Sequence, residues 1–233
     1  MIRTEDREDV RVVTLDRPER RNALTLDGLA DLERAVEGAT QPVVYLTGAG
    51  GAFSAGADFD VVSEVAAEGP EAIEAFVDRG QRTMRAIEDA ESVVVAGIDG
   101  PARGGGVELA LACDLRVATP GATFAETGVS LGLFGAWGGT ARLPEVVGTG
   151  DALDLSLSGR TVDAKTALRI GLVQRVTTEP RSVAEEIAGN DPVALGALKR
   201  LVRGTGDREE REAREREAFV DLLSARRDGI GGR

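Results

Sequence analysis

Residues 104–114 read Gly104-Gly105-Gly106-Val107-Glu108-Leu109-Ala110-Leu111-Ala112-Cys113-Asp114, a glycine triplet followed by small apolar residues around one glutamate. The apolar run 93–98 before it predicts a buried strand, so the triplet predicts a turn from a strand into a helix that starts near Val107. Such a turn lets backbone amides approach a ligand closely, and free amides at a helix N-terminus suit an anion or a developing oxyanion. A glycine triplet alone is more often a tight turn or a packing device, and this one lacks the spacing of phosphate-binding and dinucleotide-binding loops.

A second turn of the same kind lies at residues 53–58, Phe53-Ser54-Ala55-Gly56-Ala57-Asp58, after a short predicted strand at 43–46. If folding brings the two turns together, one amide from each could form a two-donor oxyanion hole. In acyl-transfer and enolate chemistry such a hole usually contributes much of the stabilisation of the transition state, because its donors are fixed before the charge develops. Neither turn supports this interpretation by itself.

Around these turns, predicted strands alternate with predicted helices over the first two thirds of the chain, and helices fill the remainder. This order is typical of an α/β domain. The predicted strands are 10–15, 43–46, 93–98, 115–118 and a segment around Phe124. Six helices are predicted. Two follow the N-caps Thr25 and Thr161, two begin at Pro70 and Pro192, one begins near Val107, and the last spans 208–226. We expect residues 1–180 to form the core and residues 181–233 to form a helical region of the same domain.

The composition disfavours several classes of function. The 233 residues carry a net charge of −12, which argues against nucleic acid as a partner because phosphates attract a basic surface. The absence of histidine excludes Ser-His-Asp and Cys-His catalysis and histidine-ligated metal sites. The single cysteine, Cys113, lies among small apolar residues and is predicted to be a core residue rather than a nucleophile. We expect neither a metal nor a covalently bound cofactor.

The N-terminus is charged, and no apolar run approaches the roughly 20 residues that a membrane span needs. We therefore expect a cytoplasmic protein with no membrane partner. Lysine occurs only as Lys165 and Lys199 among the 28 basic residues, against 40 acidic ones. Acid excess with few lysines fits a high-salt cytoplasm, where salt screens a negative surface. It fits a GC-rich genome equally well, and both interpretations stay open.

A set of motifs in a fixed order surrounds the two glycine-rich turns. They are 15–24 (LDRPERRNAL), 53–58 (FSAGAD), 104–114 (GGGVELALACD), 131–133 (LGL), 138–143 (GGTARL) and 164–173. In these motifs the chain resembles the crotonase (enoyl-CoA hydratase/isomerase) superfamily, and the resemblance extends from residue 10 to residue 226. It implies a crotonase-like spiral of ββα units with a C-terminal helical region that assembles trimers, often paired as hexamers.

The resemblance also implies roles for both turns. The backbone amides of Ala57 and Gly105 would form the oxyanion hole for the carbonyl of an acyl-CoA thioester. Ala55 and Ala57 would lie beside the adenine of coenzyme A, which enters as part of the substrate. Asp58 and Gly104 belong to the same two loops and are further candidates for substrate binding.

Hydratases of this family use two glutamates, and Glu108 stands at the first position. A carboxylate beside apolar residues can have a raised pKa suited to acid–base chemistry. The alternative is a solvated glutamate that complements the helix dipole. Gly128 occupies the second position, and Glu126 lies two residues earlier. In an extended segment residues 126 and 128 point to the same face, so Glu126 could partly substitute, or it could be an ordinary exposed acid.

Hydration of 2-enoyl-CoA is the commonest activity of the family and the leading hypothesis. Isomerisation of a double bond needs only one base, and hydrolysis or decarboxylation also fits an oxyanion hole with few acids. The dihydroxynaphthoyl-CoA synthase branch resembles this chain in the glycine at position 128, and it uses a bound bicarbonate there. A non-catalytic acyl-CoA-binding protein is the alternative from a different class.

Three further features concern binding and assembly. Asp60 stands where many relatives carry a lysine near the CoA phosphates, so Arg20, Arg21 or an arginine of a neighbouring subunit could supply the charge. Trp137 either lines the acyl pocket or anchors the core. The amphipathic helix 208–226 is compatible with a homotrimer or a dimer of trimers.

Overall fold

The computed structural model describes residues 1–226 and contains a six-stranded sheet and a separate three-stranded sheet. In the larger sheet the first two strands of the chain are antiparallel to each other, and the other neighbouring strands are parallel. Its strands, in spatial order, are β1 (Ile2–Arg7), β2 (Val10–Leu15), β3 (Val43–Gly48), β4 (Val93–Ile98), β6 (Leu115–Ala118) and β9 (Arg175–Val176). The smaller sheet consists of β5 (Pro101–Arg103), β7 (Thr123–Ala125) and β8 (Val162–Asp163).

The helices cover both faces of the larger sheet and extend beyond it at the C-terminal end. They are α1 (Leu26–Glu37), α2 (Phe59–Glu68), α3 (Pro70–Asp89), α4 (Gly105–Ala112), α5 (Gly139–Ser158), α6 (Ala164–Arg169), α7 (Pro180–Ala188), α8 (Pro192–Arg203) and α9 (Arg208–Ser224). Two short 3₁₀ helices span Pro18–Arg20 and Thr127–Leu131. Within the described residues no helix is both long and apolar enough to cross a membrane.

The central strands are buried on both faces, as parallel strands covered by helices usually are. All six residues of β4 are buried. One face packs against α1, α3 and α4 and forms the main core. The opposite face is covered by α7, whose Val183 and Ala184 pack against strand residues such as Tyr45 and Val95. Helix α7 therefore completes the main fold, although it lies at the start of the predicted C-terminal region.

Most predicted elements are confirmed. Thr25 caps α1, since its Oγ1 accepts a hydrogen bond from Gly28 N at 3.1 Å. Helices α3 and α8 begin at the predicted prolines. Cys113 is buried, and this burial raises the pKa of its thiol to about 12, so the prediction of an inert core residue is confirmed.

Some sequence-based predictions are wrong. Thr161 is not a helix N-cap, because the chain first pairs as β8 with β7 and Asp163 then caps α6 by accepting from Thr166 N. Strand β1 was not expected: it is an exposed, charged edge strand without an alternating apolar pattern. Helices α2 and α7 were also not expected. The last predicted helix ends at Ser224, and residues 227–233 of the predicted C-terminal region lie outside the described part of the chain.

The two glycine-rich turns follow neighbouring parallel strands. Residues 53–58 come after β3, and the turn at Gly104 comes after β4 and the short β5. The carboxyl ends of parallel strands meet at one edge of a sheet, where open α/β folds usually bind ligands. A β-bridge between Ser54 and Ala102 ties the two segments together at this edge. The topology thus brings together two turns that are about fifty residues apart in the sequence.

Candidate active site

Two buried polar side chains hold the first turn: Asn22, from the loop after β2, and Ser54, from the turn itself. Asn22 is fully buried, and its Nδ2 donates to the carbonyl oxygens of Ala49 and Ala52 at 2.9 and 2.8 Å. Ser54 Oγ donates to Asn22 O at 2.9 Å and accepts from Gly56 N at 3.1 Å. These bonds satisfy buried polar groups and hold the turn in one conformation before any ligand binds.

The two turns touch through their backbones. Gly56 has a φ of +88°, and a Cβ added there would lie 2.8 Å from Gly105 N and 2.7 Å from Arg103 O. A Cβ added to Gly105 would lie 3.3 Å from Ala57 N. Side chains would separate the turns, so glycine at 56 and 105 permits the close approach.

Two backbone N–H groups at this contact are left without an acceptor. Gly105 is the first residue of α4, so its N–H has no intrahelical partner. Ala57 pairs with Leu24 in a parallel bridge, but the bonds of that bridge run from Leu24 N to Gly56 O and from Asp58 N to Leu24 O. Among the hydrogen bonds of residues 1–226, neither Ala57 N nor Gly105 N donates. The predicted amide donors are therefore close together and available.

Glu108 lies in the first turn of α4, but it is only 1% exposed. Its Oε1 accepts hydrogen bonds from Trp137 N at 2.8 Å and Gly139 N at 2.7 Å. Burial raises the pKa of Glu108, and these two N–H groups together with the charge of Arg142 offset part of the increase. The alternative of a solvated glutamate at the helix N-terminus is therefore wrong.

Glu126 follows β7 directly, and the next residues form the 3₁₀ helix Thr127–Leu131. The expectation of an extended segment with residues 126 and 128 on one face is therefore wrong, because the chain turns as soon as β7 ends. Its Oε1 is nevertheless buried and has no hydrogen-bond partner among the described residues. Burial, reinforced by the negative charge of Glu108, raises the pKa of Glu126 to about 8. The alternative of an ordinary exposed acid is also wrong.

A small cavity lies beside Glu126, and two of the glycines that line it adjoin Glu108. Its volume is about 40 Å³, and its lining includes Glu126, Gly135 and Gly139. The same glycines adjoin Glu108: a Cβ added to Gly135 would lie 2.6 Å from Glu108 Oε2, and one added to Gly139 would lie 2.9 Å from Glu108 Oε1. The cavity thus has Glu126 in its lining and Glu108 close behind two of its glycines. Backbone donors fix Glu108 Oε1, whereas the buried Oε1 of Glu126 has no hydrogen-bond partner among the described residues.

Trp137 supports this arrangement from the core. Its side chain is 2% exposed, and its ring lies 5.6 Å from that of Phe76 between centroids. A Cβ added to Gly105 would lie 2.5 Å from the indole, so the ring packs directly beneath the second turn. Of the two roles expected from the sequence, the structure gives Trp137 that of a core anchor, and its backbone N–H holds Glu108.

Asp58 is an internal brace at the end of the first turn. It is 1% exposed and pairs with Arg17 at 2.5 Å and Arg20 at 3.3 Å. Burial would raise its pKa, but the Asp60 N–H and both guanidinium groups hold the pKa of Asp58 below its ordinary value. Arg20 also pairs with Asp60. The side chain of Arg21 is exposed and forms no ion pair within residues 1–226.

The remaining predicted site residues lie around the same edge. Ala55 is partly exposed, and its N–H donates to Arg21 O at 2.9 Å. Gly104 has a φ of +46°, and its N–H donates to Ala125 O at 3.0 Å. This bond ties the start of α4 to the last residue of β7, directly before Glu126. Gly128 lies in the 3₁₀ helix and lines the small cavity. Within the described residues no cluster of three or more His, Cys, Asp or Glu side chains could hold a metal ion.

Comparisons with known proteins agree with this architecture. The sequence model described as enoyl-CoA hydratase/isomerase matches residues 5–227. A short-chain-enoyl-CoA hydratase of Clostridium acetobutylicum is 37% identical over 230 residues, which cover 92% of this chain and 86% of that protein. The chain belongs to the enoyl-CoA hydratase/isomerase family. The family assignment made from the sequence is therefore confirmed.

Solved structures of this family confirm the crotonase-like fold. An enoyl-CoA hydratase from Bacillus anthracis superposes with a TM-score of 0.87 at 32% identity and covers 96% of this chain and 91% of its own. A Thermobifida fusca protein solved in complex with CoA superposes with a TM-score of 0.85 at 28% identity and covers 96% of this chain and 93% of its own.

Several residues of the site were missed from the sequence. Asn22 lies within the N-terminal motif, but nothing in the motif shows that its side chain supports the first turn. Gly135, Gly139 and Arg142 lie in or beside the motif 138–143, and the glycine spacing there was the available signal. That signal does not reveal which backbone amides hold Glu108, because the partner lies about thirty residues away in the chain.

Proposed function

We propose that this protein is an enoyl-CoA hydratase, which adds water across the 2,3 double bond of an acyl-CoA thioester. The observation that carries the proposal is the environment of Glu126, which lines a small cavity and has a pKa raised by burial and by the charge of Glu108. Glu108 lies in the first turn of the helix that begins with Gly105, beside Ala57 N. The names of the relatives, among them the short-chain-enoyl-CoA hydratase, support it.

In this proposal the N–H groups of Ala57 and Gly105 bind the thioester oxygen. They stabilise the negative charge that develops on it when water attacks C3. Backbone donors remain donors at any pH and need no reorganisation during the reaction. The loop positions of Ala55, Gly104 and Arg21 around the same edge are consistent with a bound CoA moiety.

The two glutamates divide the proton transfers. Glu108, ionised, accepts a proton from the water whose oxygen bonds to C3, and the double-bond electrons move onto the thioester as an enolate. Glu126, protonated because its pKa is near 8, donates its proton to C2. One proton then passes from Glu108 back to Glu126 and restores both groups. Two carboxyls with a single proton between them suit this exchange, as acid and base are needed at the same pH.

The position of Gly128 disfavours the branch of the family that uses bicarbonate. A Cβ added to Gly128 would lie 3.1 Å from both Leu133 O and Phe134 Cα. The direction in which a side chain would leave this residue is thus crowded by the backbone of Leu133 and Phe134. A non-catalytic binder is disfavoured because the buried Oε1 of Glu126, which has no hydrogen-bond partner among the described residues, lowers stability and is expected to persist only where it serves function.

The test is hydration of crotonyl-CoA, followed by loss of the absorbance of the conjugated thioester. We expect activity in the wild type and losses of roughly a hundredfold or more in Glu108→Gln and in Glu126→Gln. Glu64→Gln, which changes an exposed glutamate on α2, is the matched control and should keep full activity. A Glu126→Gln variant with wild-type activity would show that Glu126 takes no part in hydration and would contradict the two-carboxyl mechanism. An inert wild type would overturn the hydratase proposal.

We further propose a homotrimer or a dimer of trimers in the cytoplasm. Helix α9 has no buried residue and exposes Phe219, Val220 and Leu223, which is the pattern of a helix that lacks its partner surface. A mass of one chain in sedimentation experiments would contradict the assembly. The interpretation of the acidic composition as an adaptation to salt also remains a proposal.

A further inference from the structure

Arg142 on α5 contacts the turn that holds Glu108. Its Nη1 donates to Trp137 O at 3.1 Å, and Trp137 N donates to Glu108 at 2.8 Å. Gly138, between the two amides that hold Glu108, has a φ of +104°, and a Cβ there would overlap the Arg142 guanidinium. The turn 137–139 therefore contacts the guanidinium of Arg142 on one side and the carboxylate of Glu108 on the other.

The guanidinium is itself held by an acid on another helix. Arg142 pairs with Glu88 of α3, and the Arg142 side chain is 13% exposed. Glu88 also pairs with Arg203 of α8 at 3.2 Å. Arg203 in turn pairs with Asp114 at 2.7 Å and donates to Ala112 O, at the C-terminal end of α4, at 3.1 Å. Helix α4, which carries Glu108, is thus tied at both ends to one ion-pair network.

The charges that face Glu108 are few, so each one matters. Glu126 faces it from the segment after β7, and Arg142 faces it from α5. The negative groups that act on Arg142 are Glu88, Glu108 and Glu145, with Glu88 bonded to it directly. In a site with little water, a single positive charge near a buried carboxyl changes its proton affinity more than it would in solvent.

We propose that Arg142 is a positioning residue for Glu108: it fixes the turn 137–139 whose amides hold the carboxylate, and its charge, limited by Glu88, keeps that carboxylate able to accept a proton from water. This inference rests on the proposed hydration reaction. Arg142 is not among the residues that line the cavity beside Glu126, so it acts through the turn 137–139 and through its charge.

The test compares two substitutions with opposite electrostatic effects. Arg142→Gln removes the positive charge, so the acid limb of the pH profile of kcat/KM should move to higher pH, and kcat should fall about tenfold to a hundredfold with KM little changed. Glu88→Gln removes the opposing negative charge, so the acid limb should move to lower pH. Arg142→Lys keeps the charge but loses the two-pronged geometry, so the limb should stay near the wild-type position while kcat falls.

Arg79→Gln is the matched control, since Arg79 on α3 forms a comparably buried pair with Glu33 and is not among the groups that shift the pKa of Glu108. It should lower stability and leave the acid limb in place. If Arg142→Gln and Glu88→Gln move the limb in the same direction, or leave it unmoved, the proposal is overturned. If Arg142→Gln fails to fold, Arg142→Lys and Glu88→Gln still decide the question.

A second readout separates this inference from the proposed reaction. The Glu108 carboxyl can be titrated by isotope-edited infrared spectroscopy in protein with ¹³C-labelled glutamate, with Glu108→Gln used to assign its band. Opposite shifts of this titration in Arg142→Gln and Glu88→Gln would support the inference even if crotonyl-CoA is not hydrated. Identical titrations in wild type and both variants would overturn it whether or not the protein is a hydratase.

Discussion

Replacing Glu126 by glutamine should raise stability at alkaline pH while it removes activity. Glu126 is half-buried, its Oε1 is buried without a hydrogen-bond partner among the described residues, and the negative charge of Glu108 acts on it. Glutamine has nearly the same shape but never ionises. The substitution therefore removes the cost of a buried charge and the acid that the proposed mechanism needs.

The size of the effect follows from the two pKa values. The carboxyl of Glu126 ionises near 4.5 in an unfolded chain and near 8 in the folded protein. Between these values the folded state binds one proton more than the unfolded state, so this group's contribution to stability is complete below pH 4.5 and is lost as pH rises through 8. Each pH unit is worth about 1.4 kcal/mol, so the loss is at most about 5 kcal/mol. Coupling to Glu108 spreads it over the pair.

Urea unfolding at pH 6 and at pH 9 measures this directly, at one fixed protein concentration because assembly also affects stability. Because the measurement covers only the two pH units from 6 up to the folded pKa near 8, the wild type should lose about 3 kcal/mol more between the two pH values than Glu126→Gln does. Glu64→Gln should follow the wild type, since Glu64 is exposed. Crotonyl-CoA hydration by the same samples should be reduced roughly a hundredfold or more in Glu126→Gln alone.

An equal change in the free energy of unfolding for wild type and Glu126→Gln would refute the reasoning. It would mean that Glu126 is already ionised in the folded protein and that its burial is relieved by water. A Glu126→Gln variant that is stabilised but fully active would retain the electrostatic argument and remove Glu126 from catalysis.

Two other substitutions test the contact between the two glycine-rich turns and the negative charge at position 60. Gly56→Ala places a Cβ 2.8 Å from Gly105 N at a residue with φ +88°, so it should separate the amide donors and lower kcat about tenfold or more, and an unchanged kcat would contradict the two-amide hole. Asp60→Lys removes one of the two acids that pair with Arg20 and reverses a charge, so the KM for crotonyl-CoA should fall by up to about fivefold at low salt with kcat unchanged. A fall in KM that persists undiminished in high salt would show that the effect is not electrostatic.

The sequence was most informative where the structure depends on local chemistry. The glycine-rich turns, the caps and prolines that start α1, α3 and α8, and the apolar run of β4 follow from backbone preferences and from periodicity over a few residues. The order of the motifs added the family, and with it the expectation that Ala57 and Gly105 present their amides together. The geometry of the turns in the structure is compatible with that expectation.

The tertiary structure decided the environment of Glu126. In the sequence Glu126 was equally compatible with an exposed acid and with a catalytic one, and the argument from an extended segment was wrong. Its burial, its free Oε1 and its approach to Glu108 depend on how β7, the 3₁₀ helix and α5 pack. Trp137 shows the same limit, because only packing distinguishes a core anchor from a pocket wall.

The difference between what the sequence determined and what only the tertiary structure decided has a physical cause. Turn type, helix start and strand burial depend on neighbours within a few residues, so the sequence by itself determined the two amide-bearing turns, Glu108 and the family. Desolvation and charge–charge interactions depend on distances between groups far apart in the chain, such as Glu108 with Glu126 or Arg142 with Glu88. The protonation of the site and the network that holds it were therefore decided only when the chain folded.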